Sequence, residues 1–175
     1  MTAQSAPLPA RNACPVGARL VNDIHSALNP IAVAMVVRPR SVEDVRGAIT
    51  AARAAGRAVS IAGGRHAMGG QQFGAGTVLL DMTAFNRIVF FDPERGEVEV
   101  EAGIQWPELI AGLASLQESA ADPWGIVQKQ TGADRLSVGG ALSANIHGRG
   151  LRFGPIIGDV EGFTIVGPDG EVRTC

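Results

Sequence analysis

The chain has no tyrosine, only two tryptophans and only six phenylalanines. A core must therefore be built from valine, isoleucine, leucine and alanine. Cysteine is equally scarce. Cys14 and Cys175 sit near the two ends, without metal-ligand spacing, so neither a thiolate metal centre nor a disulfide scaffold is expected. No apolar run approaches the roughly 20 residues needed to span a bilayer. Residues Met1 to Asn12 lack a charged segment followed by an apolar one. The expectation is a cytoplasmic protein with no membrane partner. No basic run stands out and the formal net charge is −2, which gives nucleic acid nothing to bind. Two nucleotide-binding signatures are missing as well. No Gly-Lys-[Ser/Thr] closes a P-loop, and the Gly-x-Gly-x-x-Gly dinucleotide spacing is absent. No catalytic residue or metal site is assigned.

What the chain has in abundance is glycine, 23 residues of it, concentrated in two stretches. The first runs from Ala62 to Gly74 and holds five glycines in thirteen residues. It follows the apolar run Ala58–Ile61 and precedes Val78–Asp81. Glycine permits positive φ, so consecutive N–H groups can turn toward one object and form an anion-binding concavity. Arg65 adds a positive charge, and His66 stands in the middle. The expectation is a pyrophosphate cradle with His66 facing the group that carries the phosphates. Taken alone, the same glycines fit a tight connection that serves only sterics. The second stretch, residues 131–150, carries the small-residue run Val138 to Ala144. Ser137 is the expected N-cap of a short helix whose N–H groups could meet a phosphate. Close helix–sheet packing would also explain these small residues. Two separated anion-binding loops in one chain suit a long dinucleotide better than a single phosphate.

Around these stretches the pattern is mixed α/β. Residues 1–12 read as a loose tail. Leu20, Val21, Ile24 and Leu28 have helical spacing and predict a helix over 15–28, with His25 an ordinary helix histidine. Ala34–Arg38 predicts a buried strand. Ser41-Val42-Glu43-Asp44 resembles a capping box and opens a helix that ends at Gly56. With Ala58–Ile61 this gives a βαβ unit, and the first glycine stretch lies at the carboxyl end of its second strand. Val78–Asp81 is a further strand and residues 83–86 a turn. Ile88–Phe91 and Glu97–Glu101 predict a hairpin whose glutamates form a solvated face. A helix follows from Trp106 to Leu116, and Val160–Thr174 predicts a closing hairpin.

The motifs together resemble a known family. Gly63-Gly64-Arg65-His66-Ala67-Met68-Gly69-Gly70-Gln71 is similar to the first pyrophosphate loop of the vanillyl-alcohol-oxidase/PCMH-type FAD-binding domain. Leu136-Ser137-Val138-Gly139-Gly140-Ala141-Leu142-Ser143-Ala144-Asn145-Ile146-His147-Gly148 is similar to its second FAD loop. The Pro39–Val45 helix entry, Leu80-Asp81-Met82 and Gly167–Glu171 fall in the family's order. The resemblance covers residues 33–175 and leaves 1–32 as an N-terminal tail and helix. It implies an α/β (α+β) fold of two small α/β subdomains with FAD between them. Gly63, Gly64, Arg65, His66, Ala67, Met68, Gly69 and Gln71 would hold the pyrophosphate. Gly132, Ser137, Gly139, Gly140, Ala144, Asn145, Ile146 and His147 would line the rest. Many members bond the histidine matching His66 to the flavin 8α-methyl, so the resemblance implies covalent FAD through His66. Those members usually read Gly-x-Gly-His-Ser, where this chain has Arg65-His66-Ala67. They also continue well past this point, so the resemblance implies a domain truncated at its C-terminal end, without the substrate domain. The implied function is the FAD-binding portion of an oxidoreductase that takes a hydride from a CH–OH group of a small-molecule substrate to flavin N5. The alternatives are a stand-alone FAD-binding or electron-transfer module completed by another subunit, and glycine stretches that are purely structural.

Overall fold

A computed structural model describes residues 17–130 and 132–175. The predicted tail, Cys14 and Thr131 lie outside the described residues.

The central element is a three-stranded parallel sheet of β3 (Met35–Val37), β4 (Val59–Ala62) and β5 (Val78–Asp81), in the order β3-β5-β4. The predicted strand–helix–strand unit is present, but its two strands are not neighbours, because β5 inserts between them. All four residues of β5 are buried. Val78 and Leu80 pack with Val45 and Ala52 of helix α1 (Val42–Ala54) on one face. Leu79 packs with Val21, Val33, Ala62 and Phe73 on the other. A strand covered on both faces reads as a continuous apolar run, which is what Val78-Leu79-Leu80 shows. Helix α1 starts where Ser41 Oγ accepts the amide of Asp44 at 3.1 Å, and Gly56 follows it with φ +60°.

The parallel pairing of β4 with β5 dictates the shape of the first glycine stretch. The chain leaves β4 at its carboxyl end and must return to the opposite end of the sheet to begin β5. Residues 63–68 stay at the carboxyl end, near Asp81. The return leg is held by the bond from Gly76 N–H to the Ala32 carbonyl, 2.9 Å, and from Ala34 N–H to the Thr77 carbonyl, 2.8 Å.

A second core lies under the hairpin of β6 (Ile88–Asp92) and β7 (Glu97–Val100). There α2 (Trp106–Leu116) and α3 (Val138–Ser143) bury Ile104, Trp106, Leu109, Leu113, Ala141 and Ile156. Beyond it, β8 (Thr164–Val166) and β9 (Val172–Thr174) form the predicted closing hairpin.

Two expectations are corrected. No helix forms over the described part of 15–28. Instead β1 (Arg19–Val21) pairs antiparallel with β2 (Ile31–Val33), and a loop joins them. Asp23 accepts the amides of His25, Ser26 and Ala27, so the backbone hydrogen-bonds to a nearby side chain rather than to a helix. Ala27 takes φ +50°, which no helix accommodates. Leu20 and Leu28 are exposed. Nor are all the glutamates of 97–101 solvated. Glu101 is buried and accepts the Arg87 amide at 2.7 Å and the Arg87 guanidinium at 2.6 and 2.9 Å.

Candidate functional site

The two glycine-rich stretches meet. A Cβ on Gly63 would collide with Ser137 Oγ, and one on Gly64 with the Arg135 carbonyl oxygen. These two glycines are therefore required by the contact between the stretches, whatever else they allow. Ser137 is buried at 2% exposure and bridges to Gln105, so it cannot retreat.

The first stretch keeps its amides unspent. Among the described residues, the N–H groups from Gly64 to Gly69 donate to no protein acceptor, and the next donor is Gly70, to the Ala67 carbonyl at 3.1 Å. Ala67, Met68, Gly69 and Gln71 are exposed, and the Gln71 side chain lies against Gly69. Arg65 sits at φ +59° and its guanidinium turns to Asp81, 3.0 Å away. The predicted positive charge of the loop is thus already balanced by a carboxylate, and Arg65 acts as the loop's anchor. Arg38 approaches the same oxygen at 3.4 Å. Burial raises the Asp81 carboxyl, but hydrogen bonds from Thr83 and the two arginines outweigh it and hold it below its ordinary range.

His66 is half-buried. Its Nδ1 lies 2.8 Å from Nε2 of His25, and its Nε2 is buried without a hydrogen-bond partner of good geometry among the described residues. Burial lowers the imidazole's pKa, the facing His25 adds to this, and the Arg135 backbone opposes it. The ring is therefore a neutral imidazole at pH 7. His25 is the residue that sequence reasoning missed. Its partner is 41 positions away, so no local spacing could have found it.

In the second stretch Ser137 does precede α3, but its hydroxyl makes no capping bond. The amides of Val138 and Gly139 are already bonded to the carbonyls of Ile104, 2.9 Å, and Ala102, 2.8 Å. They cannot meet a phosphate, which corrects that expectation for the start of the helix. Gly140 keeps the one first-turn amide with no backbone acceptor among the described residues. A Cβ on Gly139 would press on Ala102, so this glycine serves packing. Gly132 is exposed at φ +85°. Past α3, Ala144 bonds back to Gly140 and Asn145 takes φ +44°. Ile146 packs into the second core and His147 is exposed, with Nδ1 near the Gly148 carbonyl. Residues 144–147 are tied to Ile156 and Ile157 rather than to the first stretch. An open groove lies elsewhere, between β6 and α2, and is lined by none of these residues.

A family profile described as an FAD binding domain matches residues 33–175. The chain belongs to that FAD-binding family. The FAD-binding chain is 31% identical to an uncharacterized oxidoreductase of the fasciation locus of Rhodococcoides fascians, over 91% of this chain and 33% of that protein. It is 30% identical to L-gulonolactone oxidase of Mus musculus, over 81% of this chain and 30% of that one. It is 32% identical to cytokinin dehydrogenase 5 of rice, over 80% and 27%. The chain thus spans about a third of the length of these relatives. Among solved structures, an alkyldihydroxyacetonephosphate synthase aligns with TM-score 0.66 at 23% identity, over 80% of this chain and 27% of that one. A glucose dehydrogenase aligns with TM-score 0.64 at 18% identity, over 80% and 28%. The mixed α/β fold is that of these two proteins. No helix among the described residues is long and apolar enough to cross a membrane.

Proposed function

We propose that this FAD-binding domain holds the cofactor's pyrophosphate on the amides of residues 64–69 and serves an oxidoreductase acting on a small CH–OH compound. The observation that carries the binding mode is the run of amides at the carboxyl end of β4 that meet no acceptor among the described residues. Such a run fits a cofactor with a polyanionic waist. Gly140 would add one amide from α3, and the contact of Gly63 and Gly64 with Arg135–Ser137 keeps the two stretches at a constant spacing. FAD, when bound, supplies the hydride acceptor. The chain's own residues bind and orient it, and no side chain here is assigned to take the substrate's hydroxyl proton. Relatives named as a lactone oxidase and as a dehydrogenase support the CH–OH reading. His66 is the residue proposed to bond the flavin: its neutral imidazole keeps the lone pair that would form an N–C bond in place of one 8α C–H bond and the ring N–H bond. The hydrogens of those two bonds would leave as protons, while the two electrons would reduce the flavin and pass on to dioxygen.

The test is reconstitution of the purified chain with FAD. Reversible binding should appear as a stoichiometric flavin signal. A fraction surviving acid precipitation should be present in the wild type and absent in His66→Ala. Full release of the flavin by acid would remove the covalent assignment while leaving FAD binding intact. A chain that takes up no flavin at all would overturn the binding site.

A further inference from the structure

His25 stands on the loop between β1 and β2, and that loop is built to face His66. Asp23, buried at 4% exposure, accepts the amides of His25 at 2.9 Å, Ser26 at 2.6 Å and Ala27 at 3.4 Å. The loop is then fastened on both sides of His66. Ile24 N–H donates to the Arg65 carbonyl at 3.2 Å. On the far side, the Ser26 hydroxyl and the Asn29 amide reach the Met68 carbonyl at 3.0 and 3.4 Å. The two imidazoles meet at their edges, with centroids 4.8 Å apart and planes tilted by 58°.

One hydrogen must lie between His25 Nε2 and His66 Nδ1, and the surroundings decide whose it is. The backbone group beside the other face of His66 is the Arg135 carbonyl, held there by its close approach to Gly64. A carbonyl only accepts. A bare Nε2 would set one lone pair against another, whereas an Nε2–H relieves the conflict. His66 then carries its hydrogen on Nε2, leaves Nδ1 bare, and receives a hydrogen bond from His25. Among the described residues, the nearby Asp23 carboxylate is occupied by its own loop and the Arg65 guanidinium by Asp81.

We propose that His25 is a positioning residue for His66: its Nε2–H holds the facing ring as the neutral Nε2–H tautomer, with the Nδ1 lone pair on the exposed side. His25 is itself exposed, so rotation of one side chain uncovers that lone pair while Asp23 keeps the loop in place. The consequence, that Nδ1 is the nitrogen offered to the flavin, rests on the assignment of His66 given above. The tautomer does not.

The experiment records histidine ring 15N resonances of the full chain without FAD, for wild type, His25→Phe and His25→Gln, with circular dichroism to verify folding. In the wild type, His66 Nε2 should resonate as a protonated nitrogen and Nδ1 as a hydrogen-bonded acceptor. His25→Phe keeps a ring but no donor, so Nδ1 should move to the free-acceptor position and the tautomers should begin to average. His25→Gln restores an N–H donor and should recover the wild-type pattern. Attachment of added FAD should slow about tenfold in His25→Phe, as expected for loss of one orienting hydrogen bond, and recover in His25→Gln. A wild-type His66 protonated on Nδ1, or His66 resonances and attachment rate unmoved by His25→Phe, would overturn the proposal. The expected resonances in a chain that attaches no FAD would uphold the role of His25 and overturn the flavin assignment instead.

Discussion

At the scale of single residues, the site depends on side chains that fix the backbone rather than touch a ligand. Asp81 is the main one. It ends β5, is almost fully buried, and anchors Arg65, which sits at a positive φ that non-glycine residues rarely adopt. Asp81→Asn should cost about 2 kcal/mol by urea unfolding, less than a fully buried pair because both arginines are partly exposed. The same change should weaken reversible FAD binding by about tenfold, since a 1.4 kcal/mol loss of loop order is tenfold in affinity. Unchanged affinity would separate Arg65 from the loop's function. Asp23 plays the equivalent part for the His25 loop. Burial pushes its carboxyl up, but the hydrogen bonds from Ser26, His25 and Ala27 prevail and bring it from 3.8 down to about 2. Because the folded value is the lower one, the unfolded chain takes up the proton first on acidification. The stabilisation is complete above pH 4, where both states are ionised, and is lost as pH falls toward 2. Acid unfolding of Asp23→Asn should therefore show a shallower pH dependence than wild type between those limits.

At the scale of elements, two glycines with the same backbone freedom have opposite roles. Gly47 lies inside α1, on its exposed side, with open space where a Cβ would go. Gly47→Ala should stabilise the chain by about 0.5–1 kcal/mol through helix propensity alone, visible as a raised Tm. Gly64 lies between the two stretches, where a Cβ would strike the Arg135 backbone. Gly64→Ala should push the stretches apart and abolish flavin uptake. Flavin uptake retained in Gly64→Ala would mean that the spacing of the stretches is not what binding requires. Helix α3 is too short to be stable alone. It survives because its first amides bond to Ala102 and Ile104 and because Ala141 is buried in the second core.

At the scale of the whole molecule, the sheet core and the second core leave a large apolar surface uncovered. Phe90, Leu116 and Trp124 line the groove between the β6–β7 hairpin and α2, each at least half exposed. Contiguous apolar surface of this kind binds hydrophobic probes in the native state. The purified chain should therefore enhance the fluorescence of an anilinonaphthalene dye before any unfolding. The double change Phe90→Ser and Leu116→Ser should reduce that signal without lowering Tm, and a signal unaffected by it would place the dye elsewhere.

The sequence by itself determined the elements whose signals are local. The periodicity of Val42–Ala54 and Trp106–Leu116, the buried run at Val78–Leu80 and the turn at Asp92–Gly96 each depend on neighbours within a few positions. The family, too, was legible in the two glycine stretches, because backbone close approach requires glycine wherever it occurs. What only the tertiary structure decided are the relations between distant segments. Sequence spacing could not show that β5 would lie between β3 and β4, nor that Glu101 would turn inward to Arg87. Helical spacing at 20–28 was outweighed by the hydrogen bonds of one aspartate. Arg65 reads in the sequence as a positive charge of the loop, and only the fold sets Asp81 beside it. His25 and His66 are brought together by pairing of β1 with β2 and by three bonds across the loops, and such long-range contacts leave no trace in either residue's neighbours along the chain.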